Sequence, residues 1–236
     1  MTDALYSVEL LLPTVRFAFW TDGERVEVLP EHRSPEAWRL YEELAAARTV
    51  VGMTTYPNTV LLRGPQTILV DPGMHLQNEP VVRALEAREL SVDDLDLIAL
   101  THAHFDHAGA CADVPGPVAV HELELDDPGR AMVAGILPRE RLRLLRGDEG
   151  ELVPGVTWVR TPGHTAGGVC YRVATGDGLV VVAGDTIGPL RDDYDRVAAG
   201  GDEGADPVLA ASFRAIASWQ PSLIIPGHVP PFRPGA

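Results

Sequence analysis

The sequence contains only two cysteines, Cys111 and Cys170, among 236 residues. Both stand in small or apolar surroundings, where a free thiol is usually a reduced core residue. A chain of this length can bury a core large enough to fold without disulfide bonds. We therefore expect no disulfide framework, a pattern that fits a reducing compartment.

Long apolar segments and a basic leader are also missing. No uninterrupted apolar run is long enough to span a bilayer. Residues 1–6 lack the basic region and the apolar stretch of a secretory signal. These absences predict a cytoplasmic protein with no membrane partner.

Basic residues are few, since 19 Lys and Arg stand against 34 Asp and Glu, for a formal net charge of −15. A surface of this charge repels phosphate backbones and anionic lipids within a Debye length. The balance argues against a general nucleic-acid binder, which would carry a basic patch. It does not exclude a pocket that a bound cation makes locally positive.

Short apolar runs are interleaved with helical patterns along the chain. Strands are predicted as a pair within residues 5–19 and at 60–62, 67–70, 95–100, 118–120, 156–160, 169–173, 179–183 and 223–225. Helices are predicted at 34–47, 80–90 and 207–219. This interleaving favours one layered α/β domain over residues 1–236. The segment 192–206 combines six acidic residues with three glycines, so we predict a mobile acidic loop, either a linker or an active-site lid.

The strongest signal is the segment 102–107, which holds three histidines and one aspartate in six positions. Histidine is the commonest metal ligand, and carboxylates are hard oxygen ligands. His102 and His104 stand two positions apart, so in extended chain they share one side and can chelate one ion. Asp106 and His107 follow them and can serve a second ion.

Three more ligand-type side chains follow apolar strands, each directly after a glycine: His164, Asp185 and His228. Asp71 also follows a strand, and we predict that it orients a ligand through a hydrogen bond. The predicted trios are His102–His104–His164 and Asp106–His107–His228, with Asp185 as a bridge. Seven ligands are too many for one tetrahedral zinc ion, so two ions are expected. Structural roles are predicted for the remaining histidines, His32, His75 and His121.

Taken in order, these motifs resemble the metallo-β-lactamase superfamily of metallo-hydrolases. They are Asp71-Pro72-Gly73, Thr101–Gly109, Thr161–Thr165, Gly184-Asp185 and Pro226–His228. The resemblance implies an αββα sandwich, with two mixed sheets flanked by helices, and ligand roles that match those above. The chain is similar to small single-domain members of the glyoxalase-II-like and quorum-quenching lactonase types. Several lactonases carry a tyrosine where this chain has Gly188, and Tyr194 is either its substitute at the substrate or a packing residue.

We expect a hydrolase in which two divalent ions share a hydroxide that attacks the carbonyl carbon of a small ester, lactone or thioester. Asp106 is the candidate group for carrying a proton to the leaving group. Zn²⁺ is the expected ion, with Mn²⁺ and Fe²⁺ as alternatives.

Three rival functions stay open at this point. One is a phosphodiesterase or ribonuclease of the same fold, although the acidity of the chain argues against it. Another is a mononuclear iron enzyme that resembles the persulfide dioxygenases, with iron held by His102, His164 and Asp185. The third is a binding module without turnover. A homodimer is compatible with each of them.

Overall fold

A computed structural model describes residues 6–21, 24–27, 43, 50–74, 78–126, 137, 139–188, 190–201 and 204–235. The predicted helix at 34–47 lies outside these residues except for Glu43, which is helical. His32 and His75 also lie outside them. Within the described ranges, no helix is long and apolar enough to cross a membrane.

The chain forms short strands, with helices between some of them. The strands are β1 (Ser7–Leu12), β2 (Val15–Thr21), β3 (Glu24–Glu27), β4 (Val50–Tyr56), β5 (Thr59–Arg63), β6 (Thr67–Val70), β7 (Leu97–Ala99), β8 (Val118–His121), β9 (Leu142–Leu145), β10 (Glu149–Val153), β11 (Val156–Arg160), β12 (Val169–Thr175), β13 (Gly178–Gly184) and β14 (Leu223–Pro226). The helices are α1 (Asn78–Glu86), α2 (Phe105–Ala108), α3 (Arg191–Ala198) and α4 (Pro207–Ser218).

Two mixed sheets form the centre of the fold. The first has the order β1-β5-β6-β7-β8-β9, in which β6 to β9 run parallel. The second has the order β10-β11-β12-β13-β14, and only its β13–β14 pair is parallel. A smaller antiparallel sheet joins β3, β2 and β4.

Side chains on neighbouring positions of β5 and β6 enter different layers. Val60 and Val70 join a buried cluster with Trp158 of the second sheet, whereas Leu61 and Leu69 join a cluster on the outer face. A strand buried on both faces has a continuous apolar sequence. This double burial explains why both strands were recognisable from short apolar runs.

Helices cover the outer faces of both sheets. Val81 and Leu85 of α1 complete the outer cluster of the first sheet. Phe213 and Ile216 of α4 do the same for the second sheet. The predicted αββα sandwich is therefore confirmed.

The predicted acidic loop is wrong for its first seven residues, because 192–198 belong to α3. Its acidic residues lie beside basic ones at helical spacing, with Arg191 and Asp195 in contact at 2.5 Å. Tyr194 and Val197 face the core on the other side of the helix. The abundance of aspartate concealed this amphipathic periodicity. Strands β9 and β10 were also missed, because charged residues interrupt both of them.

Gly184→Ala is predicted to destabilise the fold. Gly184 ends β13 with a φ of +47°, and a Cβ there would lie 2.2 Å from Thr101 Oγ1. Backbone strain of this kind costs about 1–3 kcal/mol, and the free energy of unfolding should fall by at least that amount. Gly176→Ala is the control, because nothing lies within 4 Å of its added Cβ. Equal urea midpoints for the two variants would contradict the prediction.

Candidate metal centre

The candidate ligands lie at one edge of the sandwich because the strands before them end there. In the first sheet β6 and β7 run parallel, as do β13 and β14 in the second. Strand β11 shares the direction of β13, since each is antiparallel to β12. A hydrogen bond of 2.8 Å from Val169 N to Thr101 O joins the two sheets at this edge. The loops that follow these strands therefore meet.

The first predicted trio is brought together. The ligand atoms of His102, His104 and His164 all lie within 4.8 Å of one another. His164 Nε2 is 3.0 Å from His104 Nδ1. His102 is buried, whereas the His164 side chain keeps 22% of its surface exposed.

The second predicted trio is also brought together. The ligand atoms of Asp106, His107 and His228 likewise lie within 4.8 Å of one another. His228 Nε2 is 3.2 Å from Asp106 Oδ2 and 3.4 Å from His107 Nε2. Asp106 and His107 belong to the short helix α2, and the His107 ring lies 4.1 Å from that of His102 in the extended segment before it.

Asp185 lies between the two trios. Its Oδ2 is 3.5 Å from Nε2 of His164 and 3.4 Å from Nε2 of His228, while its Oδ1 is 3.4 Å from Nε2 of His107. One carboxylate thus faces a histidine of the first trio and two histidines of the second. Its ligand atom also lies within 4.8 Å of those of His102 and His107, in a third group that draws on both trios.

Burial and charge shift the pKa values of these groups in opposite directions. Burial lowers the pKa of His102 well below its usual value, and His107 lowers it further. At His228, burial would lower the pKa, but Asp185 and Asp106 raise it to about 9. Burial would raise the pKa of Asp185, yet His228 and His107 hold it well below its usual value. A cation that binds His228 would therefore compete with its protonation.

The donor set fits a divalent cation. Among the described residues, four buried side-chain atoms have no hydrogen-bond partner, and two of them, His102 Nε2 and Asp185 Oδ1, belong to this cluster. Buried polar atoms are rarely left unpaired, and an unpaired one suggests a missing partner such as an ion. Both atoms belong to ligand-type side chains. Imidazole nitrogens and carboxylate oxygens suit zinc, iron and manganese.

Asp71 contacts one of the ligand candidates and the segment before another. Its Oδ2 lies 2.8 Å from His107 Nδ1, and its two oxygens accept hydrogen bonds from the backbone N and Oγ1 of Thr101. The Nδ1–H of His107 is thereby engaged, which leaves Nε2 facing the other ligands. Carboxylates behind metal-binding histidines commonly fix the tautomer in this way.

Residues outside the cluster have packing roles. His121 is buried, with its Nε2 2.9 Å from Gly147 O, as expected for a structural histidine. Tyr194 is 1% exposed and its ring contacts Phe213 and Phe232, so the structure supports its packing role rather than a substrate contact. Cys111 and Cys170 are buried free thiols, as predicted.

Asn58 was missed by the sequence analysis. It directly precedes β5, and its side-chain amide donates hydrogen bonds to Pro226 O (2.7 Å) and Val229 O (2.8 Å). Its backbone N donates to Gly227 O. These bonds enclose His228 on both sides. An asparagine beside a proline is also an ordinary turn signal, so the sequence gave no reason to connect it with the site.

Comparison with known proteins agrees with this arrangement. A family model described as the metallo-beta-lactamase superfamily matches residues 53–228. The chain is 30% identical over 241 residues to the Homo sapiens protein named metallo-beta-lactamase domain-containing protein 1. That alignment covers 97% of this chain and 82% of the human protein. The chain belongs to the metallo-β-lactamase superfamily. Membership places it among metallo-hydrolases and implies divalent metal ions.

Two further relatives of this superfamily chain are lactone hydrolases by name. A Bacillus N-acyl homoserine lactonase is 34% identical over 95 residues, which cover 39% of this chain and 38% of that protein. A solved N-acyl homoserine lactone hydrolase, with its product at the catalytic metal centre, aligns with a TM-score of 0.61 and 22% identity. That alignment covers 97% of this chain and 94% of the other. At this identity the structural likeness shows the fold alone.

Asp71→Asn should weaken metal binding by about 10–100-fold, the usual effect of losing such a hydrogen bond behind a ligand. The amide cannot accept from all three donors that the Asp71 carboxylate satisfies. Asp96→Asn is the control, because Asp96 accepts one hydrogen bond from Thr67 N at an exposed position. Titration of metal-free protein with Zn²⁺ against a chromophoric chelator measures the affinity. Equal affinities for both variants would contradict the prediction.

Proposed function

We propose that this protein is a dinuclear metal-dependent hydrolase that cleaves a small ester, lactone or thioester. The observation that carries the proposal is the position of Asp185 between two complete ligand trios. A mononuclear site, such as the iron site considered above, would leave the second trio without a metal ion to bind.

Each ion would be held by one trio. His102, His104 and His164 would hold the first ion, and Asp106, His107 and His228 the second. Asp185 would reach both ions, since its oxygens face both trios. When bound, such a pair of ions supplies Lewis acidity and makes hydroxide available near neutral pH.

Asp106 is the group best placed to move a proton. Its side chain keeps 22% of its surface exposed, whereas that of His107 keeps none. Burial would raise the pKa of Asp106, but His107 and His228 lower it overall. The carboxylate is therefore ionised at neutral pH and can accept a proton from the attacking water. It can then deliver that proton to the alkoxide or thiolate that leaves.

Partial exposure indicates the side from which substrate approaches. His104, Asp106 and His164 are each partly exposed, while His102, His107, Asp185 and His228 are buried. A substrate carbonyl would therefore reach the centre past the three partly exposed side chains. The buried ligands lie behind them and need no contact with substrate.

The substrate class is inferred from charge and from one relative. A net charge of −15 disfavours polyanions, because phosphate affinity comes largely from lysine and arginine. The 95-residue match to a named lactonase favours a lactone among the carbonyl substrates. Zn²⁺ is the proposed ion, since imidazoles provide most of the ligands.

Protein purified without chelator should contain close to two equivalents of divalent metal per chain. This expectation follows from two ligand trios that share one carboxylate. Elemental analysis measures the metal content, and the Asp185→Ala variant should hold less metal because it has lost the shared ligand. A stable single equivalent of iron, with oxygen consumption on a persulfide, would replace the hydrolase proposal with a dioxygenase.

Hydrolysis should favour lactones, esters or thioesters over polynucleotides. A side-by-side rate comparison of a carbonyl substrate panel with single-stranded RNA and DNA at moderate salt tests this. His102→Ala identifies the turnover that depends on the metal centre. RNA turnover that equals the best carbonyl substrate and disappears in His102→Ala would instead establish a nuclease.

A further inference from the structure

Glu124 is a buried carboxylate that lies outside the ligand set. It belongs to the 3-10 helix Glu122–Asp126, which directly follows β8, and it has 0% relative exposure. A carboxylate is buried at high cost unless hydrogen bonds replace its lost water. The identity of its partners therefore indicates what the side chain is for.

Among the described residues, the Glu124 side chain has three hydrogen-bond partners, and all of them belong to loops that carry metal-ligand candidates. Oε2 accepts from Ala103 N at 2.8 Å. Oε1 accepts from Thr165 Oγ1 at 2.6 Å and from Gly167 N at 3.0 Å. Ala103 lies between His102 and His104, and Thr165 directly follows His164. One carboxylate thus connects the two loops of the first trio.

The second of these loops is shaped around Glu124. A Cβ at Gly167 would lie 2.8 Å from both the backbone N and Oε1 of Glu124. Only a glycine lets the loop approach the carboxylate this closely. The contact therefore depends on the carboxylate of Glu124 and on the glycine at position 167.

We propose that Glu124 is a positioning residue that sets the affinity of the first trio for its metal ion. The inference rests on the proposed dinuclear function. Asp71 contacts His107 directly and reaches the first trio through Thr101, whose Oγ1 lies 3.2 Å from His102 Nδ1, while Asn58 encloses the loop of His228. The hydrogen bonds of Glu124 described above all go to the two loops of the first trio. Loss of the Glu124 carboxylate should therefore weaken one ion and leave the other nearly unchanged.

Graded extraction of Zn²⁺ tests this proposal. Zinc-loaded wild type, Glu124→Gln and Glu122→Gln are dialysed against increasing concentrations of a chelator, and the retained zinc is measured. Glu122 is a matched control, because it precedes Glu124 by two positions and forms an exposed ion pair with Arg146. Thr165→Val, which removes only one of the three donors, serves as a milder variant if Glu124→Gln fails to fold.

Glu124→Gln should lose one equivalent of zinc at a chelator concentration at least about tenfold lower than wild type, the range typical of groups behind a ligand. The second equivalent should dissociate as in wild type, and Glu122→Gln should match wild type throughout. Added zinc should restore the hydrolysis that Glu124→Gln loses. Thr165→Val should shift the same equivalent by less.

Two other outcomes overturn the inference. If Glu124→Gln loses both zinc equivalents equally early, Glu124 has a general structural role. If its zinc retention matches that of wild type, Glu124 has no role in metal affinity. A wild type that holds only one equivalent would instead refute the dinuclear proposal. In that case the Glu124 inference is still tested, since Glu124→Gln must weaken the single ion while Glu122→Gln does not.

Discussion

The centre depends on negative charge placed behind and between buried imidazoles. Asp71 and Asp185 are almost fully buried, and each lies within 3.5 Å of a histidine. Isolated buried charges are strongly unfavourable, so these carboxylates and imidazoles are stable only together or with a cation. The loops at this edge of the sandwich are therefore held in a conformation that a metal ion would stabilise further.

Support for the two trios comes from different parts of the chain. Asp71, directly after β6, contacts His107 of the second trio, and Asn58, directly before β5, binds the loop that carries His228. Glu124, which follows β8, contacts the loops of the first trio. Each trio thus has its own hydrogen-bonding groups behind the ligands, as metal sites in proteins commonly do.

Much of the fold and of the site could be predicted from sequence, because doubly buried strands and clustered ligand-type side chains both leave clear local patterns. Strands such as β5 and β6 are buried on both faces, so their apolar runs are unmistakable. Histidines at strand ends have few structural explanations when they cluster. Asn58 and Glu124 were not predicted, because their importance lies in hydrogen bonds to residues distant in sequence. Helix α3 was missed because its acidic composition concealed one apolar face.

The hydrogen bonds of Asn58 also bear on the order in which the site can assemble. They join residues 168 and 171 positions apart in the chain. Contacts of such long range form late and slowly in folding, because a large loop must close first. His228 follows β14, the strand paired with β13, so we expect it to join the centre late, whereas the ligands of the first trio all lie within residues 102–164. A chain in which both trios are complete is therefore one in which β14 has already joined the second sheet.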